Sequence, residues 1–153
     1  MPKTFSVGKK IYSVDMMISY ISIYKPKLHK VNITRDTCRV LNVKSWGDPT
    51  IGKYYSAMDV IENPKKKEYA NDLRRIFNSD LKYPILVWRG IVVDGMHRFA
   101  KACIESKKSI KAFRISDELM NKFIINKKGD WDAIDRLESY DLISLFYGRF
   151  CRK

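Results

Sequence analysis

Two short apolar runs, Tyr83-Pro84-Ile85-Leu86-Val87-Trp88 and Ile91-Val92-Val93, are separated only by Arg89-Gly90, and the second runs directly into Asp94-Gly95-Met96-His97-Arg98. The β-branched content and the central glycine predict two strands joined by a tight turn. Beyond the motif, Met96, Phe99, Ala100, Cys103 and Ile104 recur at helical spacing on one face. The stretch is therefore a strand-to-helix junction, in which Asp94 ends the strand or caps the helix. Gly95 leaves room for a ligand because it has no Cβ. The N–H groups of a first helical turn carry partial positive charge, and His97 and Arg98 add further donors, so the junction is a candidate anion site. Read without function, the same residues are an ordinary Asp-Gly turn followed by a solvated His-Arg pair.

The run from Tyr83 through Val87, then Val92-Val93-Asp94-Gly95-Met96-His97-Arg98-Phe99 and Ala102, followed by Ile110-Lys111-Ala112-Phe113-Arg114, resembles the ParB/sulfiredoxin-like superfamily. With the preceding helix, Glu68 to Asn78, the resemblance covers roughly a third of the chain. It implies an α+β fold: a single ParB/sulfiredoxin-like domain with a small mixed sheet flanked by helices, spanning residues 1–115. A C-terminal helical extension, residues 116–153, is expected to pack on that same domain.

Members of the superfamily hold a nucleotide phosphate at a G-x-[HR]-R motif while their chemistries differ. Carried over position by position, the motif's glycine is Gly95, its variable residue Met96, its His or Arg His97, and its arginine Arg98. Sulfiredoxins place their reactive cysteine where Met96 stands, and a thioether cannot act as the thiolate nucleophile, so a sulfiredoxin-type reductase is not expected. Partition proteins usually carry Glu-Arg at the positions of Met96-His97. The Asp-Gly-x-His-Arg form is closest to the free-serine-kinase and ParB-like-nuclease branches, where an acid corresponding to Asp94 lies beside the phosphate.

The resemblance thus implies a phosphate-handling enzyme that binds ATP or a related nucleotide with Mg²⁺. Gly95, Met96, His97 and Arg98 would hold the nucleotide, aided by Arg74 from the preceding helix; Asp94 would be metal ligand or general base, and His97 a second catalytic group. Phosphotransfer and phosphodiester hydrolysis both suit that arrangement. The alternative is a basic, non-catalytic DNA- or RNA-binding module that grips backbone phosphate with the same motif.

Charge bears on this choice. Thirty Lys and Arg against 17 Asp and Glu give a net charge of +13, which attracts nucleotides, nucleic acids and acidic surfaces. Codon usage that favours lysine would produce the same excess. At 153 residues and 45% hydrophobic content the chain suffices for one sizeable core. No apolar run is long enough to span a bilayer, and Asp15 and several serines interrupt the apolar stretch after Lys9-Lys10, so no membrane partner and no signal peptide are expected. Cys38, Cys103 and Cys151 are widely spaced and only His29 and His97 are imidazoles, so structural zinc is not expected and reduced thiols suggest an intracellular protein, cytoplasmic or nuclear. Cys103 reads as core packing and Cys38 as bordering a strand.

Elsewhere, Thr4 to Tyr12 reads as an edge strand or arm, and Ser13-Val14-Asp15 opens a helix that ends before Pro26. Lys30-Val31-Asn32-Ile33 and Arg39-Val40-Leu41-Asn42-Val43 are predicted as a hairpin. Trp46 to Tyr55 reads as a loop whose aromatics, beside Lys53, suit a base or sugar ring or else plug the core edge. A helical turn opens at Ser56, with Asp59 and Glu62 as candidates for a second acid. In the helix Glu68 to Asn78, Tyr69, Leu73, Ile76 and Phe77 are expected to face inward. Ser116 caps a helix expected to run through Ile124. One or two terminal helices, split near Ser139, are expected to cover the sheet or form a homodimer face.

Overall fold

A computed structural model describes residues 2–48 and 52–151. In chain order the elements are β1 (Thr4–Val7), β2 (Lys10–Ser13), α1 (Val14–Tyr24), β3 (His29–Asn32), α2 (Arg35–Cys38), β4 (Trp46–Asp48), β5 (Lys53–Tyr55), α3 (Ala57–Glu62), α4 (Ala70–Asn78), β6 (Ile85–Trp88), β7 (Ile91–Asp94), α5 (Met96–Ile104), β8 (Ser109–Arg114), α6 (Asp117–Asn121), β9 (Ile124–Asn126), α7 (Trp131–Asp135) and α8 (Ser139–Phe146). The fold is α+β. Its contacts gather into two units, Leu28–Arg114 and the pairing of Met1–Lys27 with Ile115–Lys153.

In Leu28–Arg114 the main sheet has the order β3-β8-β6-β7. It is mixed, as expected: β3 and β7 run antiparallel to their neighbours, whereas β6 and β8 are parallel. A parallel pair needs a crossover, and α5 supplies it. One sheet face carries Val31, Ile85, Val87, Ile110 and Ala112, which pack with Leu41, Ala57, Val60, Ile76, Phe99, Ala100 and Ala102 into a single apolar cluster. Burial of α5 through Phe99, Ala100 and Ala102 fixes the rotation of that helix and hence the directions of the intervening side chains.

Several expectations need correction here. Residues 39–43 are not a strand: Arg39–Asn42 forms a 3₁₀ turn continuing α2. Thr34 and Thr37 cap each other's backbone N–H groups, which starts a helix at Arg35, so Cys38 ends that helix rather than bordering a strand. β3 pairs instead with β8, Lys30 opposite Lys111. Trp46–Asp48 and Lys53–Tyr55 form the strands of a hairpin where a loop is expected; residues 49–51 of that reading lie outside the described residues. The helix expected from Glu68 begins with a 3₁₀ turn, Lys67–Tyr69, before α4. Phe77 does not face inward: it is 54% exposed.

In the other unit, β1 and β2 form a hairpin around Gly8, whose φ of 59° suits the reversal, and β9 adds to β2. The segment after Ser116 is therefore not helical through Ile124, because Ile124 pairs with Tyr12. Ser13 caps α1 by accepting from Met16 N–H, and Lys25, at φ 45°, ends it. Tyr20, Phe123, Phe146 and Phe150 pack their rings together in this unit, Phe146 and Phe150 at 4.7 Å. Among the described residues no helix is long and apolar enough to cross a membrane.

Candidate functional site

The junction lies inside Leu28–Arg114. β7 ends at Asp94, Gly95 turns the chain at φ 101°, and α5 begins at Met96. Gly95, the N-cap, has no side chain with which to cap the helix, and the first i to i−4 bond is Phe99 N–H to Gly95 O, 2.9 Å. The N–H groups of Met96, His97 and Arg98 precede it and carry the positive end of the helix dipole.

Arg98 turns back over the junction. Its Nη2 donates to Pro84 O at 3.1 Å and to Asp94 Oδ2 at 3.3 Å. The proline that opens the first strand thus fixes the arginine that ends the motif. Its Nε is buried and among the described residues finds no hydrogen-bond partner. A guanidinium normally satisfies such a donor, and leaving one unmet costs about 1–3 kcal/mol. A Cβ at Gly95 would sit 2.7 Å from Arg98 Nη2 and 2.7 Å from Ile85 Cγ2. Only glycine therefore lets the arginine lie across the turn. Met96 offers a backbone donor alone, since its side chain packs on the apolar cluster.

His97 points elsewhere. Its Nε2 lies 3.0 Å from Asp72 Oδ1, both side chains largely buried, and its ring stacks on Trp46 with centroids 4.3 Å apart and planes 16° from parallel. Tyr55 donates its phenol hydrogen to the other oxygen of Asp72. Tyr55 in turn packs against Tyr69 at 4.8 Å and edge-on to Trp46 at 6.4 Å. A carboxylate can only accept, so Asp72 holds one donor on each oxygen and fixes both rings. The arrangement is a histidine oriented through Nε2 by a buried carboxylate. Lys101 Nζ donates to Ser79 O at 2.8 Å, binding the C-terminal end of α4 to α5 and keeping Asp72 opposite His97.

The sequence-derived candidates thus divide. Asp94, Gly95 and Arg98 come together; His97 joins Asp72, Tyr55 and Trp46. Arg74 is exposed on α4, donating to Asn71 Oδ1 at 3.0 Å. Asp59 caps α3 by accepting from Ser56 N–H and also meets Lys44 Nζ at 3.2 Å; the Ser56 bond first, then Lys44, holds its carboxyl below the usual range. Asp72 was not among the candidates. Its signal was present, a carboxylate between Tyr69, Leu73 and Ile76 on the inward stripe of a helix, where an acid is rare unless partnered. Among the described residues no group of three or more His, Cys, Asp or Glu side chains is gathered. Mg²⁺ does not need one, because one or two carboxylates and substrate phosphates suffice.

Burial, with the adjoining Asp72 carboxylate second, pushes the Tyr55 phenol from 10 up to about 12. The folded state therefore holds this proton more tightly than the unfolded chain, and the stability it contributes is complete below pH 10 and lost as pH rises to about 12. Denaturant melts at pH 9, 10, 11 and 12 should show a decline in the native protein that is shallower in Tyr55→Phe; equal declines would contradict the assignment.

No family model, curated protein or solved structure matches this chain.

Proposed function

We propose that this chain is a nucleotide-binding protein of the ParB/sulfiredoxin-like type that handles phosphate, transferring it to a hydroxylated acceptor or hydrolysing a phosphodiester. One observation carries the reading: the part-buried Arg98 guanidinium, set by Pro84 O and Asp94 at the start of α5, with its buried Nε finding no hydrogen-bond partner among the described residues. Such a fork beside helix-start N–H groups suits a phosphate better than any neutral ligand. In this reading the backbone donors of Met96, His97 and Arg98 and the Arg98 side chain hold the nucleotide's phosphates. Asp94 is the residue that would hold Mg²⁺, and the ion would supply neutralisation of charge on the phosphate oxygens. His97, oriented at Nε2 by Asp72, is the candidate general base for the attacking hydroxyl. Trp46 keeps the imidazole in plane.

Calorimetry with ATP, ADP and CTP, each with Mg²⁺, is expected to show binding at millimolar Kd or tighter. Arg98→Ala should weaken it by about tenfold to a hundredfold, as loss of a charge-assisted fork implies. A melting curve of the variant establishes that it folds. Absence of binding by all three nucleotides would overturn the reading.

A second reading, the basic non-catalytic module, is favoured by one feature. Lys30 stands directly opposite Lys111 across the β3–β8 ladder, and both line a cleft of about 680 Å³ in which Lys101 and Lys107 are accompanied by the carboxylates Asp80 and Glu105. Like charges facing each other across a strand pair cost stability unless an anion lies between them. If this cleft tracks nucleic-acid backbone, log affinity for single-stranded DNA falls linearly with log salt, and Lys30→Ala with Lys111→Ala reduces the slope by about 1.4. Affinity that ignores salt would contradict this electrostatic account.

A further inference from the structure

Within Leu28–Arg114, and separate from the Arg98 and His97 constellations, two sulfurs meet. Cys38 is the last residue of α2 and Cys103 the penultimate residue of α5, and their Sγ atoms lie 2.7 Å apart although the residues are 65 positions apart in sequence. That is inside ordinary van der Waals contact for two sulfurs. Both are free cysteines and part-buried. Cys151 is exposed, and its sulfur is 3.8 Å from the Tyr24 hydroxyl.

We propose that Cys38 and Cys103 form a modification site, a dithiol that a peroxide closes to a disulfide, covalently joining α2 to α5. The Cys38 thiolate attacks one peroxide oxygen; the O–O bond breaks, a sulfenic acid forms on Cys38, and the departing hydroxide takes a proton to become water. The Cys103 sulfur then attacks the Cys38 sulfur, forming the S–S bond and expelling the sulfenic oxygen, which leaves as a second water with the Cys103 proton. Two thiols lose two electrons in all, and one peroxide gains them. The order follows from the surroundings: burial, and then the contact with Cys38, pushes the Cys103 thiol above the ordinary thiol range, so it keeps its proton until the sulfenic acid is beside it. A small oxidant suits a part-buried pair.

The consequence reaches the site. From Cys38 the chain passes through the 3₁₀ turn to Trp46, whose ring lies on His97, while Cys103 is on the same helix as His97. A disulfide there closes a covalent loop that contains the Trp46–His97 stack, and the unfolded chain loses the freedom of that loop.

The test uses the full reduced chain, treated with graded hydrogen peroxide, quenched, and examined by thiol titration, intact mass and non-reducing peptide mapping. Titratable thiols are expected to fall from three to one, with loss of two hydrogens in mass when Cys151 is unmodified and a Cys38–Cys103 peptide link. The melting midpoint should rise by about 5–10 °C, and dithiothreitol should reverse both changes. Cys151→Ser should keep the link; Cys38→Ser and Cys103→Ser should each abolish it. Oxygen added to Cys38 or Cys103 without a link, or a link that uses Cys151, would overturn the proposal; the native-chain map decides this even if a variant fails to fold.

Discussion

An Asp72→Asn variant is expected to fold, to bind nucleotide within about threefold of the native protein, and to lose about 10²- to 10⁴-fold in phosphate turnover. The amide preserves the shape of the side chain, but it replaces one acceptor with an N–H₂ donor. Asp72 receives a donor on each oxygen, Tyr55 on one and His97 on the other. With an amide, one of those partners faces another donor, and His97 loses either its orientation or its tautomer. The measurement is release of ADP or phosphate from ATP over a panel of hydroxylated metabolites and DNA as acceptors. Asp94→Asn should also lose turnover, through the cation rather than the base. If the native chain is inactive across the panel and Asp94→Asn binds DNA more tightly, because a repulsive charge is gone, the module reading replaces the enzyme. If Asp72→Asn turns over at the native rate, His97 is not the base.

Gly95→Ala is expected to be the most damaging single methyl in the junction. The position sits at φ 101°, and the new Cβ would lie 2.7 Å from two atoms. Arg98 Nη2 can move, though only by releasing Pro84 O and Asp94, whereas Ile85 is fully buried and cannot. Backbone strain and overpacking together are expected to cost about 3 kcal/mol, read as a lower urea midpoint at unchanged slope. Nucleotide affinity should fall with it, since the arginine is displaced. A variant as stable as the native chain would mean that Arg98 does not need its place over Gly95.

The junction was legible because its parts are contiguous. From Pro84 to Arg98 the strand, turn, strand, glycine and helix follow one another, and each is announced by local chemistry: β-branched residues, Arg89-Gly90, Gly95, then apolar residues at helical spacing. The half of the site centred on His97 was not. Asp72 and His97 are 25 positions apart, and their meeting depends on the relative rotation of α4 and α5, which is set by the packing of Ile76, Phe99 and Ala100 rather than by either segment alone. Trp46 reaches His97 from a hairpin whose strands are three residues each, too short for an alternating pattern to register. The misread strand at residues 39–43 has apolar, β-branched content, but Thr34 and Thr37 decided the local conformation first and β3 found its partner far along the chain. Ile124 likewise pairs with a residue near the other end of the sequence, a choice no local window contains.

The central claim is that phosphate is held at the start of α5, and amide chemical shifts of the uniformly ¹⁵N-labelled chain during titration with ATP and Mg²⁺ test it most directly. The account predicts saturable shifts of the Met96, His97 and Arg98 amides, with the Arg98 Nε–H signal moving alongside them and all four giving one Kd. Shifts confined to Lys30, Lys101, Lys107 and Lys111, with Met96 to Arg98 unmoved, would contradict it.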